Sequence, residues 1–196
     1  MDKIEIIKTG KTKKYKYQDQ VFDSKEEIYF SFFCDDLIKN GYAVSVQKNC
    51  PTYTLIEEAE YYWIKKARHG EYNVISNLLQ SVKYTPDFII TWHDKALEKF
   101  VYILNKEDVS ALSKKRNPFI AVIDKHYPND KLKTYIDVKG SFGQHGDAVK
   151  FPLLQKMMFS THGIYVQKVV PKQLFEKTFV PERYKYTDGG TRGRVL

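Results

Sequence analysis

The sequence predicts a layered α/β domain, on three observations. Apolar residues recur at helical spacing after Ser24 and again over 151–160. Short β-branched and aromatic runs lie between and beyond these stretches. The principal elements follow the order helix, strand, strand, strand, helix, strand, which lets one sheet bury its faces against helices. A chain of 196 residues with 42% hydrophobic and 29% charged composition supplies one full core.

Residues 1–21 read as a basic N-terminal arm with a short strand at 4–7. Ser24 starts a helix whose stripe is Phe30, Phe33, Cys34 and Leu37, and Gly41 stops it. Residues 42–46 alternate as a strand. Residues 55–67 carry Ala59, Tyr62, Trp63 and Ala67 at helical spacing and predict a second helix. Residues 73–79 fit either element. Residues 87–92 form a strand, as do 100–104 and 119–123 inside a polar stretch, 93–133, that reads as an insertion. Residues 134–139 form the next strand, and 140–146 a glycine-rich loop. A helix over 151–160 takes Pro152 in its first turn. A strand at 164–169 and a short helix opened by Pro171 close the domain, which spans 22–180. Residues 181–196 read as a basic flexible tail.

The net charge is +8, from 32 Lys and Arg against 24 Asp and Glu, which favours a polyanionic partner such as DNA. Lys8, Lys11, Lys13, Lys14 and Lys16 crowd the arm beside Tyr15 and Tyr17. Lys114, Lys115 and Arg116 form a second cluster, and Gly189 to Arg194 a third basic stretch. Each cluster alone reads equally as a solvated face. Cys34 and Cys50 leave one disulfide open but make no disulfide framework and no zinc cluster. A reducing cytoplasm is the expected compartment. No apolar run has the length of a membrane span, so no membrane partner is expected.

Two short signatures stand 50 positions apart: Tyr84-Thr85-Pro86-Asp87-Phe88-Ile89-Ile90 and Tyr135-Ile136-Asp137-Val138-Lys139-Gly140. Each places a carboxylate on a strand that reads as buried. Period-two alternation carries Lys139 to the same face as Asp137. Charges are scarce in central strands because burying an unpaired one is expensive. Two carboxylates and an ammonium brought together at strand ends fit a site for a divalent cation, Mg²⁺ or Mn²⁺, that cuts phosphodiesters. Asp87, Asp137 and the Val138 carbonyl are the oxygen donors. Lys139 is placed to hold an attacking water and balance negative charge.

Pro86-Asp87, the long spacer and Asp137-Val138-Lys139 resemble the PD-(D/E)xK nuclease superfamily. More narrowly they resemble phage-encoded endonucleases of the Holliday-junction-resolvase type. Phe22 through Glu27, Tyr84 through Phe88, Phe151 through Met158 and Gly163 through Val166 support the narrower match, in the family's order. The resemblance implies a restriction-endonuclease-like core, a central mixed β-sheet flanked by helices in the order αβββαβ, with the insertion between the two signature strands. It implies a metal-dependent endonuclease acting on branched DNA, a homodimer, no organic cofactor and, for a phage-encoded chain, the host cytoplasm. It also implies a glutamate ligand on the first helix, Glu27, with Glu26 as runner-up. Gln155 and Lys156, on the helix after the signature strand, are implied phosphate contacts.

Each position has a second explanation. Ser24 with Glu27 is also the spacing of a helix capping box. Asp87 after Pro86 fits a turn, and Asp137 with Lys139 fits a same-face ion pair on an edge strand. Gln155 and Lys156 fit an exposed helix face. The loop 141–146 holds Gln144 and His145; it could close over DNA, and His145 reads as a solvated residue. Thr9-Gly10-Lys11-Thr12 imitates the end of a P-loop, but Glu5 stands where the motif needs glycine. The competing function is a non-catalytic DNA-binding or phage-assembly protein on a nuclease-derived scaffold. A third is a restriction-type nuclease with other substrate preferences.

Overall fold

The computed structural model describes residues 4–9, 12–105, 118–123, 132–140 and 145–187. The segment predicted as an arm is folded. Strands β1 (Glu5–Thr9), β2 (Thr12–Tyr17) and β3 (Gln20–Phe22) form an antiparallel sheet. Alternation of lysine with tyrosine along β2 gives that sheet an apolar face, through which Tyr17 and Phe22 join the main core.

Helix α1 (Lys25–Lys39) begins where the sequence placed it. The Glu27 N–H donates to Ser24 Oγ at 3.2 Å, the Ser24 hydroxyl donates to Glu27 Oε1 at 2.9 Å, and the Asp23 N–H donates to Glu27 Oε2 at 3.2 Å. This capping box gives a partner to the Glu27 amide, which the first turn would otherwise orphan, and ties Glu27 back to the residue before the cap. At the other end Tyr42 N–H donates to Leu37 O and Gly41 N–H to Ile38 O, both at 2.8 Å. That is a Schellman stop, and Gly41 supplies its φ of +66°.

Strand β4 (Ala43–Gln47) follows. The helix predicted over 55–67 is not formed. Those residues belong to β5 (Tyr53–Ile56) and β6 (Ala59–Ala67), and 73–79 lie in β7 (Gly70–Leu79). β6 and β7 pair as an antiparallel ribbon, and β5 pairs with β8 (Val82–Tyr84) at its base. The helical spacing was coincidental. Tyr-Tyr-Trp-Ile favours a strand, and a ribbon exposed on both faces leaves no period-two pattern to reveal it.

Strand β9 (Phe88–Trp92) carries the first signature. Strands β10 (Val101–Asn105) and β11 (Phe119–Ile123) form a parallel pair within the predicted insertion. Lys114, Lys115 and Arg116 lie outside the described residues. Strand β12 (Lys133–Val138) carries the second signature. Helix α2 (His145–His162) starts earlier than predicted, so Pro152 sits in its interior rather than its first turn. His145 and Gly146 open this helix; the rest of the expected loop, 141–144 with Gln144, lies outside the described residues. Strand β13 (Val166–Val169), α3 (Pro171–Lys177) and α4 (Glu182–Thr187) complete the described residues. α4 takes up the start of the expected tail. It docks on α1 through Arg183 to Asp35 at 2.6 Å and through Tyr184 against Tyr29. The tail from Gly189 to Arg194 is outside the described residues.

The molecule is a mixed α/β structure around a four-stranded sheet of order β13-β12-β9-β4. β12 runs parallel to β13 and antiparallel to β9, which runs antiparallel to β4. Phe88, Ile90, Ile136 and Val138 pack with the α1 stripe, including Phe30 and Phe33. A smaller cluster of Phe151, Met158, Val166 and Leu55 joins α2 to the sheet, with Tyr135 against it. Gln167 ties the insertion to β13: its amide accepts from Ile120 N–H at 2.8 Å and donates to Ile120 O at 2.9 Å. Cys34 and Cys50 are both free thiols. Among the described residues no helix is long and apolar enough to cross a membrane.

Candidate functional site

The sheet positions the two aspartates. The last ladder pair between β9 and β12 is Phe88 with Ile136, and the next residue on the two strands is Asp87 and Asp137. Asp87 N–H donates to Ile136 O at 2.9 Å, which anchors the strand end. The Asp87 carboxylate accepts from Val138 N–H at 2.7 Å. In an extended strand the N–H and C=O of one residue point toward the same neighbour, so the Val138 carbonyl turns to the Asp87 side.

Tyr135 packs with the α2 cluster, and alternation sends Asp137 and Lys139 to that same face. Lys139 Nζ lies 3.0 Å from Asp137 Oδ1, with the Asp137 side chain only 6% exposed. Lys139 N–H donates to Val169 O at 2.8 Å, which fixes the backbone just past the strand.

Electrostatics at the site are strained. Burial pushes the Asp87 carboxyl up to about 8, helped by the charge of Asp137 and a side-chain hydrogen bond with it, against the Val138 amide, which favours the anion. The charge of Glu27 adds a smaller upward push. Burial, then the charges of Asp137 and Asp87, push the Tyr84 hydroxyl far up. That buried hydroxyl makes no well-formed hydrogen bond, only a weaker polar contact with the Asp137 carboxyl. Burial, then the charge of Asp87, push the Cys50 thiol up to about 12. The neighbourhood therefore disfavours negative charge unless a cation joins it.

Two clefts meet at Asp87. One, of about 480 Å³, is lined by Tyr84, Asp87, Asp137, Lys139, Lys150 and Phe151. The other, of about 710 Å³, is lined by Gln20, Phe22, Glu27, Lys48, Asn49 and Asp87. Glu27 thus faces the site from the α1 side, while both its oxygens engage the capping box. Burial raises its carboxyl above the usual range, against the lowering effects of Ser24, the Asp23 amide and the more distant charge of Lys139. Glu26 lies beside the residue after Lys139: a methyl group on Gly140 would stand 3.6 Å from Glu26 Oε1.

The structure therefore brings Asp87, Asp137, Val138 and Lys139 together, with Glu27 at the margin. Among the described residues no group of three or more His, Cys, Asp and Glu is close enough to hold an ion. Asp87, Asp137 and the Val138 carbonyl still form a set of hard oxygen donors. Magnesium sites commonly use one or two carboxylates and complete their shell with water and substrate oxygens, so these donors fit Mg²⁺ or Mn²⁺.

The predicted DNA contacts fall elsewhere. Lys13 is exposed on β2, Lys14 bonds Asp23 at 3.0 Å, Lys16 pairs in register with Glu5, and Lys11 lies outside the described residues. Gln155 donates to Val166 O and lines a separate cleft with Tyr165 and Lys168. Lys156 is exposed on α2. Sequence reasoning missed Tyr84, Lys48 and Lys150. Tyr84 had a signal, since it opens the first signature; Lys48 and Lys150 had none beyond their charge. Comparison with known proteins finds no matching family model, no matching curated protein and no matching solved structure.

Proposed function

We propose that this protein is a metal-dependent endonuclease that hydrolyses DNA phosphodiester bonds on a restriction-endonuclease-like core. Branched DNA such as a Holliday junction is the substrate class that the sequence resemblance implies. One observation carries the reading: Asp87 and Asp137 stand side by side at the end of paired strands, the Asp87 carboxylate accepts from Val138 N–H, and Lys139 Nζ lies 3.0 Å from Asp137.

Asp87, Asp137 and the Val138 carbonyl are the residues to hold Mg²⁺ or Mn²⁺. When bound, such an ion supplies a Lewis acid for the phosphoryl oxygens and lowers the pKa of a water. Lys139 orients that water and offsets negative charge gathering on the phosphate. Its contact with Asp137 keeps the ammonium within the cleft rather than in bulk solvent. The Val138 amide holds Asp87 in its ionisable orientation. Glu27 caps α1 and adds a carboxylate at the margin, while Lys150 lines the cleft where a phosphate enters. Lys13, Lys14 and Lys16 on β2, with Lys156 on α2, supply phosphate contacts whose affinity falls with salt. A homodimer presents two such sites to a symmetric branched substrate.

Incubating the protein with labelled linear, flap and four-way DNA in magnesium tests the reading. Cleavage that chelation stops, and that Asp87→Asn and Asp137→Asn both abolish, is the expected outcome. A second reading is a non-catalytic DNA-binding or phage-assembly protein. It is favoured by the capping contacts that engage both Glu27 oxygens and leave two close carboxylates rather than three. Tight binding of every substrate without cleavage of any would select it.

A further inference from the structure

The β6–β7 ribbon plays no part in the acidic site. Tyr62 is 75% exposed, Ile64 57% and Ile75 56% on one face, while Tyr61, Trp63 and Tyr72 are exposed on the other. A two-stranded ribbon is marginal in water on its own. A long apolar edge with unpaired backbone groups is a template for another strand. Among the described residues β6 pairs only with β7, so its outer edge is open.

The charges along β6 indicate what covers that edge. Within β6, Glu60 precedes the aromatic centre and Lys65 and Lys66 follow it; Glu57 and Glu58 lie just before the strand and Arg68 just after it. Lay a second β6 antiparallel to the first, centred on Trp63. Glu60 then faces Lys66 and Tyr62 faces Ile64, each pairing occurring twice. A parallel arrangement would place like charges together, which destabilises a strand pair. Lys66 already meets Glu71 at 3.3 Å, but both side chains are mostly exposed and that surface pair is weak. DNA is the poorer occupant, because Glu57, Glu58, Glu60 and Glu71 outnumber Lys65, Lys66 and Arg68 and leave the ribbon no net positive charge.

We propose that the chain dimerises through antiparallel β6–β6 pairing, making a four-stranded sheet of order β7-β6-β6-β7 across a twofold axis. This interface deepens the nuclease reading, which calls for a homodimer, but it does not depend on catalysis. It is tested without DNA or metal, so its failure is separate from failure of the cleavage assay.

Analytical ultracentrifugation of wild type, Glu60→Lys, Lys66→Glu and an equimolar mixture of the two variants reads it out, with circular dichroism confirming that each variant folds. Wild type is expected to sediment at twice the 23.1 kDa chain mass. Each variant alone faces like charges across the axis and is expected to dissociate about tenfold more readily. The mixture restores opposite charges at both contacts and is expected to recover association. A monomeric wild type at high micromolar concentration overturns the proposal. So do variants that dimerise like wild type, a mixture no tighter than its components, or a wild-type monomer whose ribbon variants instead lose affinity for DNA.

Discussion

At the end of the central sheet, carboxylates occupy places where a core is normally apolar. Along the β6–β7 ribbon, aromatic and branched side chains occupy places where water normally meets polar groups. Both arrangements work against the stability of the isolated chain. Buried Asp137 and half-buried Asp87 crowd two carboxyls at one sheet end, which disfavours charge on Asp87, whereas the ribbon leaves apolar surface wet. The difference lies in what relieves each region. On the proposed function, a small hard cation relieves the sheet end. On the proposed pairing, the β6 edge of a second copy relieves the ribbon. On the two proposals, the first region is a chemical site and the second an assembly surface.

The largest expected effect breaks the first region alone. Asp87→Asn or Asp137→Asn should lower magnesium-dependent cleavage by more than about 100-fold, measured on whichever DNA wild type cuts, while sedimentation stays that of wild type. Lys139→Met should lower cleavage by about 10²–10⁴-fold if it manages a proton or water, with DNA affinity changed far less.

The next effect is on stability. The Asp87 carboxyl is raised to about 8 in the fold from an ordinary value of 3.8, so the folded chain holds a proton that the unfolded chain releases. Stability of the metal-free protein should therefore fall as pH rises from about 4 to about 8 and level off above, by a few kcal/mol. Chemical denaturation across that range should show the slope in wild type and lose most of it in Asp87→Asn. Ser24→Ala removes the α1 cap and should cost about 1 kcal/mol, more where Glu27 is ionised than where it is protonated, because the Ser24 hydroxyl donates to the Glu27 carboxylate. Smallest of all, Tyr62→Ser on the exposed ribbon should change monomer stability by less than about 0.5 kcal/mol while weakening self-association.

The same two regions show what the sequence could and could not convey. Asp87, Asp137 and Lys139 were legible because charge inside apolar strand runs is rare, and alternation alone placed Lys139 beside Asp137. The ends of α1 were legible because the capping pair Ser24 and Glu27, and Gly41, act locally. The ribbon was read as a helix, since Ala59, Tyr62, Trp63 and Ala67 imitate helical spacing and no buried face imposed alternation. Turn chemistry offered a correction: Gly70, at φ +139°, sits just after Arg68 and His69 at the tip, and Tyr61 through Ile64 favour strand. The folded sheet of residues 5–22 was hidden by its lysines, which face water while Tyr17 reaches the core. Lys48 and Lys150 were beyond reach, because only tertiary packing brings them to the clefts around Asp87.

The account turns on Asp87 and Asp137 acting as one cation site. Thermal unfolding of wild type, Asp87→Asn and Asp137→Asn, with and without Mg²⁺ at pH 5 and pH 8, addresses this directly. Magnesium should raise the wild-type midpoint, more at pH 8 than at pH 5 because a proton on Asp87 competes with the ion, and should leave both variants unmoved. An equal magnesium shift in all three proteins, or none in wild type at either pH, would contradict it.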